Sequence, residues 1–312
     1  MDGLLVIDKP AGPTSHDVVA CLRRVLGEPR IGHTGTLDPA ASGVLPLVLG
    51  RATRLARFLS ASDKSYDAVI RVGVATDTYD GEGAPVGTAH DATRPSREAI
   101  EAALGAFRGS FLQQPPAYSA KKVAGRRSYK MARARARGGS EGAIALPEPV
   151  RVFVHRLDLL DLDADTVTLR VDCSAGFYVR ALAHDLGQRL GSGAHLAALR
   201  RTSSGDFTLA DALSFEAAER DADLARAAVV PLARMLPRWS SVVLTDEGAH
   251  RVAHGRDVGP DDVMAGALPA GQAVLPAAAQ QVVRLLDQHG ELIGIAELGK
   301  SPGLLHPSIV LV

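Results

Sequence analysis

A chain of 312 residues, 46% of them hydrophobic, exceeds one average domain and can bury a proper core, so one large domain and one small one are expected. Lys plus Arg number 35 and so do Asp plus Glu, which excludes a general cationic field and leaves any polyanion partner to a local basic patch. Two distant cysteines in apolar segments, Cys21 and Cys173, exclude a disulfide frame, no spacing suits a metal, and the absence of a signal-like leader or membrane-length apolar run predicts a cytoplasmic protein without membrane contact.

In chain order, residues Gly3 to Asp8 predict a buried strand ended by the turn Lys9-Pro-Ala-Gly-Pro13. Thr14 and Ser15 can cap a helix through Leu26, with Val18, Cys21, Leu22, Val25 and Leu26 on one face and Gly27 as its stop. The stretch Arg30-Ile-Gly-His-Thr-Gly-Thr-Leu-Asp-Pro-Ala-Ala-Ser-Gly-Val-Leu45 follows, and its glycines suit a tight loop carrying His33 and Asp38. Asp38 precedes Pro39, which pushes it out of the α region, so it reads as the N-cap of a short helix. A carboxylate so placed stays ionised and can act as a nucleophile, but plain capping accounts for the same residues. Beyond the apolar residues Val44 to Leu49, Arg51, Arg54 and Arg57 recur every third position, a helix with one solvated cationic stripe.

From Tyr66 the pattern alternates: Tyr66, Ala68, Ile70, Val72 and Val74 share one side of a strand, with Asp67 and Arg71 on the other. Tyr66, at the strand's beginning, suits a site at the sheet edge or a core position equally. Glycines 81, 83 and 87 do not match a dinucleotide fingerprint and no Walker sequence follows, so a nucleotide cofactor is unsupported. Ser96 can cap a helix carrying Ile100, Ala103, Leu104 and Phe107. Residues 113–142 then break the charge balance, with Lys121, Lys122, Arg126, Arg127, Lys130, Arg133, Arg135 and Arg137 unopposed by any acid between 121 and 137. Interleaved with Tyr118 and Tyr129, these cations suit phosphates and bases, a solvated basic helix being the alternative. Gly138-Gly-Ser-Glu-Gly142 suggests a mobile connection.

Strands resume at Val150, with Val167, Leu169, Val171 and Cys173 facing inward. Ser174 to Arg180 lead into a helix with Leu182, Leu186 and Leu190, and Tyr178 and Arg180 share a side if the strand continues that far. Gly193 to Arg201 predict a short helix, and residues 209–235 read as helical. From Arg238-Trp239 the style changes. Val242 to Leu244 read as a strand, Thr245 caps a short helix ended by Gly255, and Val282 to Leu286 and Leu292 to Leu298 form a hairpin about His289-Gly290. The run from Gly259 to Ala279 reads as a loop.

Six segments, Asp8-Lys-Pro-Ala-Gly-Pro-Thr-Ser15, Gly32-His-Thr-Gly-Thr-Leu-Asp-Pro39, Thr76-Asp-Thr-Tyr-Asp80, Pro115-Pro-Ala-Tyr-Ser-Ala-Lys121, Phe177-Tyr-Val-Arg180 and Gly193-Ala-His-Leu-Ala-Ala-Leu-Arg-Arg201, together resemble the TruB family of bacterial tRNA pseudouridine synthases in order and approximate spacing. The resemblance implies an α+β fold: a catalytic domain over 1–237 with a mixed, mainly antiparallel sheet, helices and an inserted basic loop, and a small, mostly β, PUA-like RNA-binding domain over 238–312. It implies an isomerase acting on uridine 55 of the tRNA T loop, extruding the base and using one aspartate, which falls on Asp38. Attack on the ribose anomeric carbon or on the pyrimidine ring stays open. Arg180 matches the arginine that pairs with that aspartate, and Tyr66 the tyrosine that stacks on the base and assists proton transfer. Tyr178 and Leu199 match positions lining the uridine pocket, and His33 the residue filling space near the flipped nucleotide. The basic segment, with Lys121, Lys122, Arg126, Arg127 and Lys130, matches the loop that closes on RNA. The implied partner is the T arm of tRNA, met by a monomer that needs no protein partner, metal or cofactor. Two rivals stand beside this reading: a noncatalytic tRNA-folding chaperone, and a nucleosidase, which needs a second carboxylic acid opposite the nucleophile.

Overall fold

The computed structural model describes residues 1–87, 95–119, 121–123, 126–127, 146–266, 282–299, 301 and 303–312. Near-continuous apolar runs build one half of the main sheet: Gly3–Lys9 pairs antiparallel with Ser42–Leu49 along its whole length. Such runs suit strands covered on both faces. Leu5, Ile7, Leu45 and Leu47 pack with the helix Ser15–Leu26 on one side, while Leu4, Val6, Val44 and Val48 pack with Leu55, Met235 and Leu236 on the other. That helix begins as expected, with Thr14 and Asp17 in a reciprocal capping box, and ends at Gly27 in the left-handed conformation.

The other half alternates. Lys64–Val72 and Thr166–Cys173 each bury every second residue against the helices Arg97–Leu104 and Val179–Leu190. Across the whole sheet the order is Leu213–Ser214, Gly3–Lys9, Ser42–Leu49, Ala194–Ser204, Lys64–Val72, Thr166–Cys173, Val150–Asp163, Gly109–Gln113. The halves meet at a short parallel seam, where Arg200 pairs with Ser42 and Arg201 with Gly43. Gly43 has φ +104°, and a Cβ there would collide with the Arg201 backbone, so only glycine lets the two halves approach this closely.

Several expectations are corrected. Gly193 to Arg201 is not a helix but most of the sheet's central strand, Ala194–Ser204. Its alanines and leucines favour a helix locally, but ladder bonds to Lys64–Val72 on one side and Ser42–Leu49 on the other override that preference. Residues 209–235 break into Phe215–Arg220 and Ala222–Ala227 with turns around them, because Ser214 and Asp221 each cap a new helix. The arginine stripe lies on a 3-10 turn, Gly50–Leu55, and the helix Ala56–Ser60, and it is not simply solvated. Arg51 donates to Asp2 and to the Leu311 carbonyl at 2.6 Å, Arg54 donates to the Val310 carbonyl, and Arg57 lies 3.5 Å from Glu297.

The carboxy-terminal sheet runs Val263–Ala265, Ser241–Leu244, Val283–Leu286, Leu292–Leu298, Leu305–Val310, with Thr245 capping the helix Asp246–Ala253. The hairpin about His289-Gly290 forms as expected, whereas Val263–Ala265 and Leu305–Val310 are strands the periodicity did not reveal. Val242, Leu244, Val283 and Ile293 fill this sheet's own core, while Leu292, Ile295 and Leu311 pack against Leu55 and Met235. No helix among the described residues is long and apolar enough to cross a membrane.

Candidate active site

Asp38 lies in the loop between Ile31–His33 and Ser42–Leu49, at the mouth of the seam. The helix expected after it is instead a turn: the Ala41 amide donates to the Asp38 carbonyl at 3.1 Å, and the strand starts at Ser42 before a helix can propagate. Pro39 suits the second position of such a turn through its fixed φ.

This loop is pinned along its length. The Ser15 hydroxyl accepts the Leu37 amide at 2.8 Å and donates to the Leu37 carbonyl at 3.0 Å, and the Gly12 amide donates to the Pro39 carbonyl at 2.8 Å. Lys9 is wholly buried, its ammonium donating to the carbonyls of Pro10, Pro39 and Ala41 at 2.8, 3.3 and 2.7 Å. Burial pushes Lys9 down to about 8, against the upward pull of the Asp38 charge. On the far side Arg201 donates to the carbonyls of Gly35 at 3.1 Å and Val44 at 2.6 Å. Carbonyls spent on these cations cannot relax toward solvent, so the loop enters the site already shaped.

The carboxylate itself meets Arg180. The Arg180 Nε lies 3.0 Å from Asp38 Oδ2, with the arginine side chain 8% exposed and the aspartate 42%. A buried guanidinium needs partners for its donors, and all three of its nitrogens have one: beside the Nε contact, Nη1 donates to the Thr78 carbonyl at 3.1 Å and to Asp80 at 3.3 Å, and Nη2 to the Tyr118 carbonyl at 2.8 Å. The expected strand does not continue to Arg180. Tyr178 is the residue before the helix Val179–Leu190, and Arg180 lies in its first turn. Gln113 fixes Tyr178 by exchanging two bonds with its backbone, at 2.8 and 3.0 Å.

Tyr66 is buried opposite Arg201 in the strand register, so the positive charge of Arg201 acts on its phenol. Burial pushes the phenol up, while the Arg201 charge pulls against it. Burial also raises Tyr178 and lowers His33, whose Nδ1 has no hydrogen-bond partner among the described residues. Leu199 packs against the cores of both sheet halves. A cleft of about 850 Å³ brings His33, Asp38, Tyr66, Tyr178, Arg180 and Leu199 together, a volume at the upper end of small-ligand pockets. Lys64 also lines it; its ammonium donates to the Ser60 carbonyl at 2.7 Å, and burial lowers it to about 8.

The basic segment is only partly in view. Lys121 is exposed, Lys122–Val123 pairs with Arg126–Arg127 as a short antiparallel ribbon, and Lys130 lies outside the described residues. Sequence reasoning missed Lys9, Ser15, Asp80 and Arg201 as site residues. All four lie within the quoted segments, but which polar side chains turn inward is not encoded in spacing. Arg201 was hidden by the helical reading of its strand. Among the described residues, no group of three or more His, Cys, Asp or Glu side chains is placed to hold a metal ion.

Residues 23–179 match the model of the TruB family pseudouridylate synthase N-terminal domain, and residues 180–236 that of the tRNA pseudouridylate synthase B C-terminal domain. The boundary falls inside the Arg180 helix, so the second match supplies the central strand of the first domain's sheet. A protein of Solibacter usitatus named tRNA pseudouridine synthase B is 44% identical over 313 residues, covering 100% of both chains. One of the same name from Symbiobacterium thermophilum is 47% identical, covering 82% of each. Among solved structures, an H/ACA ribonucleoprotein bound to a substrate RNA containing 2′-deoxyuridine has a chain that superposes with TM-score 0.70 at 25% identity, covering 99% of this chain and 85% of that one. An archaeal Nop10-Cbf5 complex gives TM-score 0.71 at 25% identity, with 99% and 86% covered.

Proposed function

Because the chain belongs to the TruB family, it is a tRNA pseudouridine synthase, an isomerase, and from that premise we propose that it converts uridine 55 in the T loop of tRNA with Asp38 as the nucleophile. The observation that carries the reading is an accessible carboxylate held by a buried arginine at 3.0 Å inside a cleft large enough for an extruded nucleotide. Isomerisation breaks the bond from ribose C1′ to uracil N1 and forms one from C1′ to C5. No atoms enter or leave overall, so a single nucleophile suffices. Asp38 either takes C1′ as an ester while the base turns, or adds to the ring; Arg180 keeps it ionised and aimed in both routes.

Tyr66 stacks on the base and serves its proton transfer, Tyr178 and Leu199 wall the uridine pocket, and His33 fills the space beside the displaced nucleotide. Lys121, Lys122, Arg126, Arg127 and Lys130 close on the T arm, and the module from residue 238 to 312 acts as a PUA-like domain against the acceptor stem. The enzyme works in the cytoplasm as a monomer on tRNA, without a protein partner, metal or cofactor. A nucleosidase needs a carboxylic acid opposite the nucleophile. Asp80, the other carboxylate on Arg180, lies on the arginine's far donor and is itself engaged by Thr78.

Incubating the purified protein with an unmodified tRNA transcript and mapping pseudouridine tests this. Product at position 55 alone is expected. Release of free uracil would make the protein a nucleosidase, and tRNA refolding with uridine intact would make it a chaperone. Neutralising Lys121 together with its basic neighbours should flatten the slope of log K against log salt by about 0.7–0.9 for each phosphate they had neutralised.

A further inference from the structure

Arg201 is a cation in an unusual position. It is 1% exposed, among the largest fully buried side chains, and no carboxylate of the described residues lies within ion-pairing distance of it. Burying an unpaired charge is strongly unfavourable, so its retention calls for a compensating role. Two carbonyls, Gly35 and Val44, absorb part of the charge, and the Tyr66 side chain lies opposite it in the strand register, the group beside it that can carry a negative charge. The strand register makes this arrangement rigid, because Arg201 pairs with Tyr66 on one side and with Gly43 on the other. One guanidinium therefore joins three things: the tyrosine, the Gly35 end of the Asp38 loop, and the seam.

We propose that Arg201 is a positioning residue for the isomerisation, holding the Tyr66 oxygen and supplying the positive charge that faces it while that oxygen is deprotonated. The inference rests on the pseudouridine-forming reading. The reaction relocates one proton, from C5 to N1, and it balances through the phenol. When the N1 to C1′ bond breaks toward Asp38, the base departs as an anion and takes the Tyr66 proton at N1. When C5 then bonds to C1′ and the Asp38 carboxylate leaves, the phenolate takes the C5 proton and is again a phenol. Between those events the negative charge sits beside Arg201, in a buried site where water cannot supply the same stabilisation. The counter-ion missing in the resting protein is thus created during turnover.

The test is a double-mutant cycle in the full-length enzyme, with Arg201→Met, Arg201→Lys and Tyr66→Phe assayed by single-turnover pseudouridine formation. Arg201→Met should slow the reaction by roughly 100-fold, the scale of proton-transfer catalysis, with tRNA affinity within a few-fold of wild type. Arg201→Lys should recover part of the rate, since it restores charge but not the fork that spans two carbonyls. Combining Arg201→Met with Tyr66→Phe should be no slower than Tyr66→Phe alone. Substrate deuterated at uridine C5 should show a larger isotope effect with Arg201→Met than with wild type, a response that loosened packing would not produce. If Arg201→Met does not fold, the lysine variant with and without Tyr66→Phe decides the same question. Additive losses, an unchanged isotope effect, or full activity in either arginine variant would overturn the inference. Failure of the wild-type enzyme to form pseudouridine would instead overturn the reading beneath it.

Discussion

The cleft and the junction with the carboxy-terminal sheet both use arginines to grip backbone carbonyls, and the two regions spend them differently. At the cleft, Arg180 and Arg201 are buried and donate to the Asp38 loop and to the carbonyls beside it, where water competes little. At the junction, Arg51 and Arg57 are 40% and 58% exposed, so water competes with their bonds to Leu311 and Glu297. The same side-chain chemistry therefore shapes the Asp38 loop in one place and only helps hold two sheets together in the other. Low dielectric makes a missing partner costly in the first case, and solvent makes it cheap in the second.

The sharpest way to break this comparison is Asp38→Asn. It should lower the single-turnover rate at least about 10⁴-fold, as loss of a nucleophile does, while filter binding shows tRNA affinity little changed; retained turnover would strip the cleft of its assigned role. Next in size is Ser15→Ala, which leaves the Leu37 amide and carbonyl without their buried partner. It should cost about 1–3 kcal/mol in denaturant unfolding, and slow catalysis about tenfold by loosening the loop. Arg51→Ala combined with Arg54→Ala should lower stability by about 1 kcal/mol per residue or less, with the single-turnover rate unchanged. A junction loss as large as that of Ser15→Ala would erase the contrast between the regions.

The smallest effect concerns protons. Burial lowers His33, with the Arg201 and His16 charges adding to it, and burial lowers His184 as well. Below the ordinary histidine value of about 6.5, the unfolded chain binds more protons than the folded one, so stability falls as pH drops through that value. His33→Asn should therefore reduce, without abolishing, the slope of stability against pH below about 6.5. An unaltered slope would show that His33 takes up its proton as readily in the folded cleft as outside it.

Local chemistry was legible wherever a pattern repeats or a cap is needed. The capped helix from Ser15 to Leu26, the alternating strands at Lys64–Val72 and Thr166–Cys173, and the hairpin about His289-Gly290 all follow from periodicity and turn residues alone. The six quoted segments likewise identified the family and brought forward Asp38 and Arg180 as candidates, since residue types in order survive without any knowledge of folding. Tertiary structure alone decided the rest. It made an alanine-rich segment the central strand, because two neighbours offered ladders that no isolated helix could match. It turned the Asp38 helix into a pinned turn, and it sent the arginine stripe to carbonyls some 250 residues away along the chain. Burial of Lys9 and Arg201 was invisible for the same physical reason: a charged side chain enters a core only when distant backbone groups converge to receive it, and convergence is a property of the fold.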